Sequence, residues 1–505
     1  MKTLIELLSA GNAGSVCLTA ANSAPLTYSA LRQLQQDVQS QFNQVGIGRN
    51  DRVAIVLPNS AEMAASFVTV ACCCTSAPLN PSYRADEFEF YLNDLNAKAL
   101  VVEQGSASPA VAVAKKMGIA LIELEATPTL GAGSFKLNLN GMPAKAAQHP
   151  GEAQPDDVAL VLHTSGTTSR PKIVPLTHRN VSASAQNIAK STRFSSADRG
   201  LNVMPLFHIH GLIAGILAPL SQGGEVYCTS GFNALKFFSQ MAEVKPTWYT
   251  AVPTMHQAIL SRAANNKEII ESVPLRFIRS SSSSLPPQVL AELEATFKAP
   301  VIEAYGMTEA AHQMACNPLP PGQRKPGTVG LAAGPEIAIM NAEGDLLPTG
   351  STGEIVIRGN NVTPGYENND KANAEAFTNG WFRTGDQGVM DDQGYVSITG
   401  RLKEIINRGG EKISPREVDE VLMDHPAVAQ VVCFGIPHDK LGEEVGAAVV
   451  LREGMTATEK ELREYTATRL ADFKVPRKVL LMDEIPKGAT GKLQRIGMAQ
   501  KLGLA

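Results

Sequence analysis

Short apolar runs alternate with longer amphipathic stretches through much of the chain. Residues 53–57 and 99–102 are continuous apolar runs of strand length. Between them, Ser60 is predicted to cap a helix that has Ala64, Phe67, Val68 and Ala71 on its inner face. The same alternation resumes near residues 158–162, with a helix predicted at 178–192 and a strand at 201–204, and continues to about residue 278. Strands that alternate with helices are typical of a mainly parallel sheet covered by helices, so the pattern predicts an α/β fold.

The pattern changes between about residues 327 and 398. The runs 336–340 and 354–358 are strand-like, and glycine-containing turns separate them. Short strands at this spacing predict a small antiparallel or β-barrel-like unit.

A domain boundary is expected near residue 400. Beyond it a helical pattern at 415–423 leads to apolar runs at 428–434 and 445–451. This predicts a large N-terminal domain, which holds the parallel sheets and the barrel-like unit, and a small α+β C-terminal domain. The predicted bounds are 1–400 and 401–505.

Composition narrows the class of protein. The chain has 505 residues, of which 44% are hydrophobic and 19% charged, as is usual for a soluble globular protein of about three domain-sized units. A net charge of -4 gives no electrostatic reason to expect a nucleic acid or an anionic membrane as partner. The most apolar stretch, 211–220, is far shorter than the ~20 residues of a membrane span, so we expect no stable membrane association. The sequence does not indicate an oligomeric state.

Cysteine usage and the N-terminus bear on the compartment. The chain has seven cysteines, and three of them stand together at 72–74 without the spacing of a zinc site. Buried structural thiols in a reducing compartment are the simplest interpretation. Residues 1–8 carry Glu6 within their apolar part, which favours an amphipathic helix over a signal peptide. We therefore expect a cytoplasmic protein.

A hydroxyl-rich segment follows one of the predicted strands. From His163 to Lys172 it places five hydroxyl side chains around Gly166 and ends with two cations. A strand followed by such a loop and a lysine is typical of a phosphate-binding site. It is not a Walker A loop, because Pro171 precedes the lysine, Ile173 follows it, and proline offers no N–H to a phosphate. On its own, the segment is equally compatible with an ordinary surface loop.

Five further segments have more polar or glycine residues than a fold requires, and most of them follow a predicted strand. Open α/β sheets bind their ligands at the carboxyl ends of the strands, so these segments are candidates for one shared site. They are residues 205–211, 279–284, 303–309, 384–386 and 486–492.

In their order and spacing, these segments resemble those of the adenylate-forming superfamily of acyl-CoA synthetases, adenylation domains and luciferases. The resemblance covers nearly the whole chain, and within the superfamily the sequence is most similar to the oxalate–CoA ligases. It implies that a carboxylate attacks the α-phosphate of ATP·Mg²⁺, giving an acyl-adenylate and pyrophosphate, and that the thiol of coenzyme A then displaces AMP. Because an anion attacks a polyanion, charge neutralisation and positioning must supply the catalysis. The closer similarity is carried by residues 164–172, 248–254, 276–280, 310–312 and 407–415.

The resemblance also implies roles around ATP. Thr308 would bind the α-phosphate, and Glu309 would be a ligand of Mg²⁺, which prefers oxygen. Asp386 would accept hydrogen bonds from the ribose, Arg401 would contact the nucleotide nearby, and Tyr305 would stack on the adenine. The β- and γ-phosphates would be held by Thr164, Ser165, Gly166, Thr167, Thr168 and Lys172. The adenine would be framed, and the ATP site completed, by Ser283, Ser284, Glu303, Ala304, Tyr305, Gly306 and Met307.

Residue type alone permits simpler explanations for several of these positions. Glu309 could be a solvated carboxylate at a helix start, where the helix dipole favours it. Tyr305 could be a core tyrosine, and Asp386 could be an ordinary turn residue.

Further roles are implied near and beyond the domain boundary. Lys492 corresponds to the catalytic lysine of the superfamily, whose ammonium would bridge the substrate carboxylate and the α-phosphate; local sequence alone does not distinguish it from Lys487. Lys403 corresponds to a hinge about which the C-terminal domain would rotate between the half-reactions. Gly409 and Gly410 would line the tunnel for the pantetheine arm of coenzyme A, with ordinary turn glycines as the alternative.

The preference for oxalate depends on polar residues. Oxalate carries a second carboxylate beside the reacting one, and a buried unpaired carboxylate is unfavourable, so the pocket must be small and must offer donors. We predict that His312 and Ser282 contact oxalate and that His208 forms a wall of the pocket, where it could also contact the acid. His210 could supply a further donor or simply face the core.

Other functions stay open at this point. A ligase for another small acid, such as malonate or an aromatic acid, would use the same chemistry, and a stand-alone adenylation enzyme would load a carrier protein instead of coenzyme A. A nucleotide-binding sensor without catalysis would be expected to lack Lys492 or Glu309, and both are present.

Overall fold

A computed structural model describes residues 1–139, 141–164, 171–487 and 493–505 of the chain. Within these ranges, two large, mainly parallel sheets, one antiparallel sheet and one C-terminal sheet are combined with helices. The predicted α/β fold class, with helix-covered parallel sheets and a separate C-terminal group of strands, is confirmed.

The first large sheet has seven strands. Its five central strands are parallel, and each edge strand runs antiparallel to its neighbour. In spatial order the strands are Phe135–Asn138, Ala120–Ala126, Ala99–Glu103, Arg52–Val56, Thr75–Pro78, Val158–Thr164 and Lys172–Thr177.

The second large sheet has nine strands. Six of them are parallel, two antiparallel strands extend one edge, and one extends the other. In spatial order the strands are Leu331–Ala332, His312–Cys316, Val301–Met307, Phe277–Ser281, Trp248–Ala251, Arg199–Asn202, Glu225–Cys228, Val16–Thr19 and Leu26–Thr27.

The helix Ala61–Ala71 packs between the two large sheets. Ser60 caps it as predicted, since its Oγ accepts the N–H of Met63 at 3.1 Å. The prediction of one apolar face was too narrow: every residue of the helix except Glu62 is buried. The reason is that strands of both sheets contact this helix, so it has no solvent side.

The other helices of the N-terminal part cover the sheets. None of the helices within the described ranges combines the length and the apolarity that a bilayer crossing requires. These helices are Leu4–Leu8, Tyr28–Gln44, Ala85–Asp94, Pro109–Met117, His178–Thr192, the π-helix His210–Leu217, Ala218–Leu220, Phe237–Val244, Pro253–Ala263, Ala264–Asn266, Lys267–Ser272, Pro287–Phe297, Thr308–Ala310 and Asp370–Ala376.

The predicted antiparallel unit is a five-stranded sheet in which all neighbours run antiparallel. Its strands are Glu336–Met340, Thr352–Arg358, Trp381–Met390, Phe377–Thr378 and Val396–Arg401. The last of these strands ends beside the predicted boundary at residue 400. The division into two domains at that point stays a prediction.

The C-terminal part is an α+β unit that contacts the rest of the chain. Its buried apolar side chains continue into the cluster beneath the nine-stranded sheet, and Gln257 Nε2 donates to the carbonyl oxygen of Ala429 at 2.9 Å. Its strands are Ile406–Arg408, Glu411–Ile413, Val428–His438, Gly442–Leu451 and Lys478–Leu481. Its helices are Pro415–Met423, Glu459–Ala467, Asp472–Lys474 and Met498–Lys501.

The seven cysteines are buried free thiols. Cys72, Cys73 and Cys74 follow the helix between the sheets, and burial raises the pKa of Cys72 and of Cys74 well above the ordinary value. A thiol in this state is a weak nucleophile, which agrees with a structural role.

Candidate active site

The candidate active site lies at the carboxyl ends of two neighbouring strands of the nine-stranded sheet. The strand Phe277–Ser281 leads into Ser282, and the strand Val301–Met307 leads into a 3₁₀ turn at Thr308–Ala310. These two strands are adjacent and parallel, so their carboxyl ends lie together. Two of the segments singled out by their polar content, 279–284 and 303–309, therefore meet at the place where an open sheet binds ligands.

Asp386 is held between a tyrosine and an arginine. Tyr305 Oη donates to Asp386 Oδ2 at 2.5 Å, and Arg401 Nε donates to Oδ1 at 3.0 Å. Burial and the neighbouring Asp386 raise the pKa of Tyr305 well above its ordinary value, so the phenol keeps its proton and donates it. The Asp386 carboxylate raises the pKa of Arg401. Three residues predicted to surround the nucleotide thus meet at one buried carboxylate.

Glu309 is buried, with 6% of its surface exposed. Tyr366 Oη donates to Glu309 Oε1 at 2.8 Å, and Lys172 Nζ lies 4.2 Å from the centroid of the Tyr366 ring. Burial raises the pKa of Glu309, while the Tyr366 hydroxyl and the Lys172 charge oppose that shift. This carboxylate is therefore not the solvated helix-start residue that sequence alone permitted.

The donor set at Glu309 fits a magnesium ion that arrives with ATP. One carboxylate beside the Thr308 hydroxyl suits Mg²⁺, which commonly takes one or two protein oxygens and completes its shell with phosphate and water. Within the described ranges no group of three or more His, Cys, Asp or Glu side chains forms a cage for a metal. A protein-only metal centre is not what these residues build.

Ser282 and His312 are brought together through His210. His210 Nδ1 lies 3.0 Å from Ser282 Oγ, and the rings of His210 and His312 stack with centroids 4.8 Å apart. Both Ser282, with φ of 76°, and His312, with φ of 96°, occupy the region that favours glycine. Residues with side chains are held there only when the surrounding structure imposes it, and such positions concentrate at functional sites.

A close approach of two strands sets the position of His312. A Cβ added to Gly306 would lie 2.0 Å from the carbonyl oxygen of His312, so only glycine is accommodated. The pairing of the strands Val301–Met307 and His312–Cys316 also shifts register between Tyr305 and Gly306. The backbone here holds the His312 ring against His210.

His208 is half-buried beside this cluster. Its Nδ1 accepts the backbone N–H of His210 at 3.3 Å. His210 itself is fully buried, yet it does not merely face the core, because its ring bonds to Ser282.

Glu303 and the serines after Ser282 have different environments. Ser283 and Ser284 are exposed, whereas Glu303 is 1% exposed. Glu303 Oε1 accepts the N–H of Leu285 at 2.9 Å, and burial raises the pKa of Glu303 to about 7. The carboxylate thereby ties its strand to the end of the serine segment.

Gly409 and Gly410 form a two-residue turn between the strands Ile406–Arg408 and Glu411–Ile413. Their φ values of 59° and 97° are those of a tight hairpin turn, which explains two consecutive glycines without a ligand. Lys403 is exposed in the short connection before this hairpin. The roles predicted for these three residues stay predictions.

Comparison with known sequences identifies the family. Residues 9–367 match the family described as AMP-binding enzyme, and residues 417–492 match the AMP-binding enzyme C-terminal domain. The chain belongs to the AMP-binding enzymes.

Curated relatives refine the assignment within this family. The chain is 47% identical to the probable CoA ligase CCL9 of Humulus lupulus over 93% of this chain and 90% of that protein. It is 46% identical to an oxalate–CoA ligase of Arabidopsis thaliana over 96% of this chain and 95% of that protein. It is 42% identical to an oxalate–CoA ligase of Saccharomyces cerevisiae over 94% and 92%. This AMP-binding enzyme is an AMP-forming acyl-CoA synthetase, with ATP and coenzyme A as substrates.

A solved structure supports the fold over the full length. The ATP-bound crystal structure of MatB from Rhodopseudomonas palustris superposes with a TM-score of 0.87 at 28% identity, covering 99% of this chain and 98% of that one. The arrangement of sheets described above is therefore that of an adenylate-forming CoA ligase.

Some predicted residues of this AMP-binding enzyme lie outside the described residues. They are Ser165, Gly166, Thr167 and Thr168 of the hydroxyl-rich segment, and the lysine Lys492. On either side of the first segment, Thr164 pairs with Lys172 across antiparallel strands. Lys487 and Leu493, which flank the segment that contains Lys492, also pair with each other.

Sequence reasoning missed two side chains that this AMP-binding enzyme places in the site. Tyr366, which bonds to Glu309, stands in a Pro-Gly-Tyr turn that carries no obvious chemistry. Arg279, which bonds to His210, was noticed only as part of a similar segment. An arginine within an otherwise apolar strand pattern was the available signal.

Proposed function

We propose that this CoA ligase is an ATP-dependent oxalate–CoA ligase that forms oxalyl-AMP and pyrophosphate, then oxalyl-CoA and AMP. The observation that carries the proposal is the strained, hydrogen-bonded cluster of Ser282, His210 and His312 at the strand ends. Donors concentrated in a small pocket suit an acid whose second charge lies one bond from the first. A long apolar acid would instead require an apolar tunnel. The similarity to oxalate–CoA ligases of a plant and a yeast supports the same substrate.

In the first half-reaction, an oxalate oxygen forms a bond to the α-phosphorus, and the bond to the pyrophosphate oxygen breaks. We assign to Lys492 the stabilisation of the charge that moves between the oxalate carboxylate and the α-phosphate. Thr308 is assigned to binding the α-phosphate, and Asp386 to binding the ribose. Glu309 would hold Mg²⁺, which neutralises the phosphates. The residues assigned to the β- and γ-phosphates are Thr164, Ser165, Gly166, Thr167, Thr168 and Lys172.

In the second half-reaction, the sulfur of coenzyme A attacks the acyl carbon, its proton is lost, and AMP leaves. We propose that residues 401–505 rotate about Lys403 between the half-reactions, so that Lys492 withdraws and the Gly409–Gly410 turn approaches the site. A turn without side chains leaves room for the slim pantetheine arm. Hinge motions of this kind require only a few residues that absorb the backbone change.

A panel of acids tests the substrate. Pyrophosphate release is measured with oxalate, malonate, acetate and benzoate at equal ATP and coenzyme A, and the product mass is determined with coenzyme A as the sole thiol. We expect the highest kcat/KM with oxalate and the mass of oxalyl-CoA. Oxalate turnover no greater than that of acetate or malonate would contradict the proposed acid, and adenylate without thioester would indicate a carrier protein as acceptor.

A further inference from the structure

A complete arginine side chain is enclosed in the core beside the candidate acid pocket. Arg279 lies on the strand Phe277–Ser281 and has 0% of its surface exposed. Burial lowers the pKa of Arg279 to about 10, which leaves it cationic at neutral pH. Enclosing a cation in a protein interior is strongly unfavourable unless an anion or a full set of acceptors compensates it.

The acceptors that surround Arg279 are neutral. Its Nη2 donates to Gln313 Oε1 at 3.1 Å, and its Nη1 donates to His210 Nε2 at 3.4 Å and to Thr250 Oγ1 at 3.5 Å. Its Nε has no hydrogen-bond partner in the described part of the chain. No carboxylate among the described residues forms an ion pair with Arg279 or contributes to its pKa. Within the part of the chain that the structure describes, the charge is thus hydrogen-bonded but not neutralised.

The contacts of Arg279 determine which atom donates and which atom accepts in the neighbouring hydrogen bonds. A guanidinium only donates, so the contact from Arg279 Nη1 assigns His210 Nε2 as an acceptor; Thr250 Oγ1 lies 2.7 Å from the same nitrogen. The proton of the imidazole then resides on Nδ1, which donates to Ser282 Oγ at 3.0 Å. Because Ser282 Oγ accepts this bond, its own O–H is directed to another acceptor.

We propose that Arg279 is the specificity-determining charge of the acid pocket: acting through His210, it turns the Ser282 hydroxyl toward the substrate, and its unneutralised cation favours acids that carry a second anionic group. This inference rests on the proposed function and names a positioning residue for it. Arg279 itself is too deeply buried to touch the acid. It acts by making the electrostatic potential in the pocket positive and by fixing the direction in which the Ser282 hydroxyl donates.

The test compares two acids of the same shape that differ in charge. Oxamate is oxalate with an uncharged amide in place of one carboxylate. For each variant we measure kcat/KM for pyrophosphate release with oxalate and the inhibition constant of oxamate as a competitor. In Arg279→Gln we expect kcat/KM for oxalate to fall roughly 10- to 100-fold, the range for one charge acting over several ångströms at protein-like dielectric. The inhibition constant of oxamate should rise by a smaller factor than kcat/KM for oxalate falls, because an uncharged amide loses only the oriented Ser282 donor, and the KM for ATP should change by less than about 3-fold.

Three further variants separate charge from structure. Arg279→Lys keeps the cation and should retain more of the oxalate preference than Arg279→Gln. Gln313→Glu leaves Arg279 in place but gives it a counter-ion, so it should lower the oxalate preference. If Arg279 had only a structural role, the new ion pair would hold its side chain more firmly and the oxalate preference would be kept. Arg276→Gln removes a cation of the same segment that is already paired with Asp198 at 2.8 Å, and should leave the preference unchanged.

The outcomes distinguish this inference from the proposed function. If wild-type enzyme prefers oxalate and both Arg279→Gln and Gln313→Glu keep the oxalate preference over oxamate, the inference is wrong and the function stands. If wild-type enzyme prefers malonate, the function is wrong, and the same comparison with malonate and its monoamide decides the inference. If wild-type enzyme prefers a monocarboxylate, both are wrong. If Arg279→Gln does not fold, Gln313→Glu and Arg279→Lys decide alone.

Discussion

Tyr366 links two groups of opposite charge in the candidate site. Its hydroxyl donates to Glu309, and the Lys172 ammonium lies over its ring. A hydrogen bond to the ionised form of an acid favours ionisation, so this phenol helps a buried carboxylate to stay charged. A charged Glu309 is what a magnesium ligand requires.

Removing this hydroxyl should weaken the proposed magnesium site without changing its shape. In Tyr366→Phe we expect kcat/KM to fall by roughly 10-fold, the worth of one hydrogen bond to a charged group, and the Mg²⁺ concentration for half-maximal rate to rise. The rate is measured against free Mg²⁺ at saturating oxalate. Tyr395→Phe is the matched control, because the Tyr395 hydroxyl donates to the carbonyl of Gln323 at 2.6 Å, away from the site. An unchanged Mg²⁺ dependence in Tyr366→Phe would show that Glu309 does not need this donor.

Glu303 should make the stability of the protein depend on pH. Its pKa is raised by burial from 4.5 to about 7, so between these values the folded state binds the proton and the unfolded state does not. Stability therefore falls as pH rises through this window, by up to about 3 kcal/mol, and levels off above it. Glu303→Gln removes the titration, so its Tm relative to wild type should rise from pH 4.5 to pH 7. Parallel Tm curves for the two proteins would contradict this.

At the level of secondary structure, the strands Val301–Met307 and His312–Cys316 approach each other closely at one glycine. In Gly306→Ala, the new Cβ would meet the carbonyl oxygen of His312 at 2.0 Å, so the strands must separate. We expect a loss of roughly 1–3 kcal/mol in stability, as for other overpacked sites, together with a larger loss of oxalate turnover than of ATP binding. Denaturant unfolding, pyrophosphate release and calorimetry with ATP measure the three quantities.

A glycine in open space provides the control for this substitution. A Cβ at Gly14 meets nothing within 4 Å, so Gly14→Ala should leave stability and turnover near the wild-type values. If Gly306→Ala behaved in the same way, the close approach would not be what positions His312.

For the whole molecule, the proposed rotation of residues 401–505 makes the two half-reactions depend on different residues. Lys492→Ala should lower adenylate formation by about 10²- to 10³-fold, as expected when one preorganised charge at a transition state is lost, while ATP still binds. Pyrophosphate exchange and ATP calorimetry measure the two effects. Near-normal adenylation by Lys492→Ala would refute the role of this lysine.

Lys487 offers a matched lysine from the same segment. Its Nζ pairs with Glu484 Oε1 at 3.0 Å, which gives it a local structural contact. Lys487→Ala should therefore retain adenylation. Equal losses in both variants would indicate a general effect of the segment rather than one catalytic ammonium.

Much of the fold could be predicted because its signals are local. The helix His178–Thr192 and the strand Glu336–Met340 were predicted with the bounds that the structure has. The strand predicted at 201–204 instead begins at Arg199 and ends at Asn202, since its register with neighbouring strands decides its ends. The full burial of the helix Ala61–Ala71 was missed because a periodic pattern does not reveal a second sheet.

The candidate site likewise contains residues that the local sequence predicts and contacts that only the folded chain creates. Thr308, Glu309 and Asp386 were found because short motifs report them, whereas the partners of these residues come from distant parts of the chain. Tyr366 is 57 residues from Glu309, and Asp386 is 81 residues from Tyr305. Hydrogen bonds at such separations exist only once strands have been paired, so no local pattern predicts them.

Local order along the chain was enough to establish the alternation of strands and helices, the family and the chemistry it performs, because apolar periodicity and short motifs act over a few residues. The assembled fold was needed to enclose Arg279 without a counter-ion among the described residues and to bring His210 against Ser282, 72 residues away. Burial and long-range pairing are properties of the packed molecule, and they are what convert a set of polar residues into a pocket with a preferred charge.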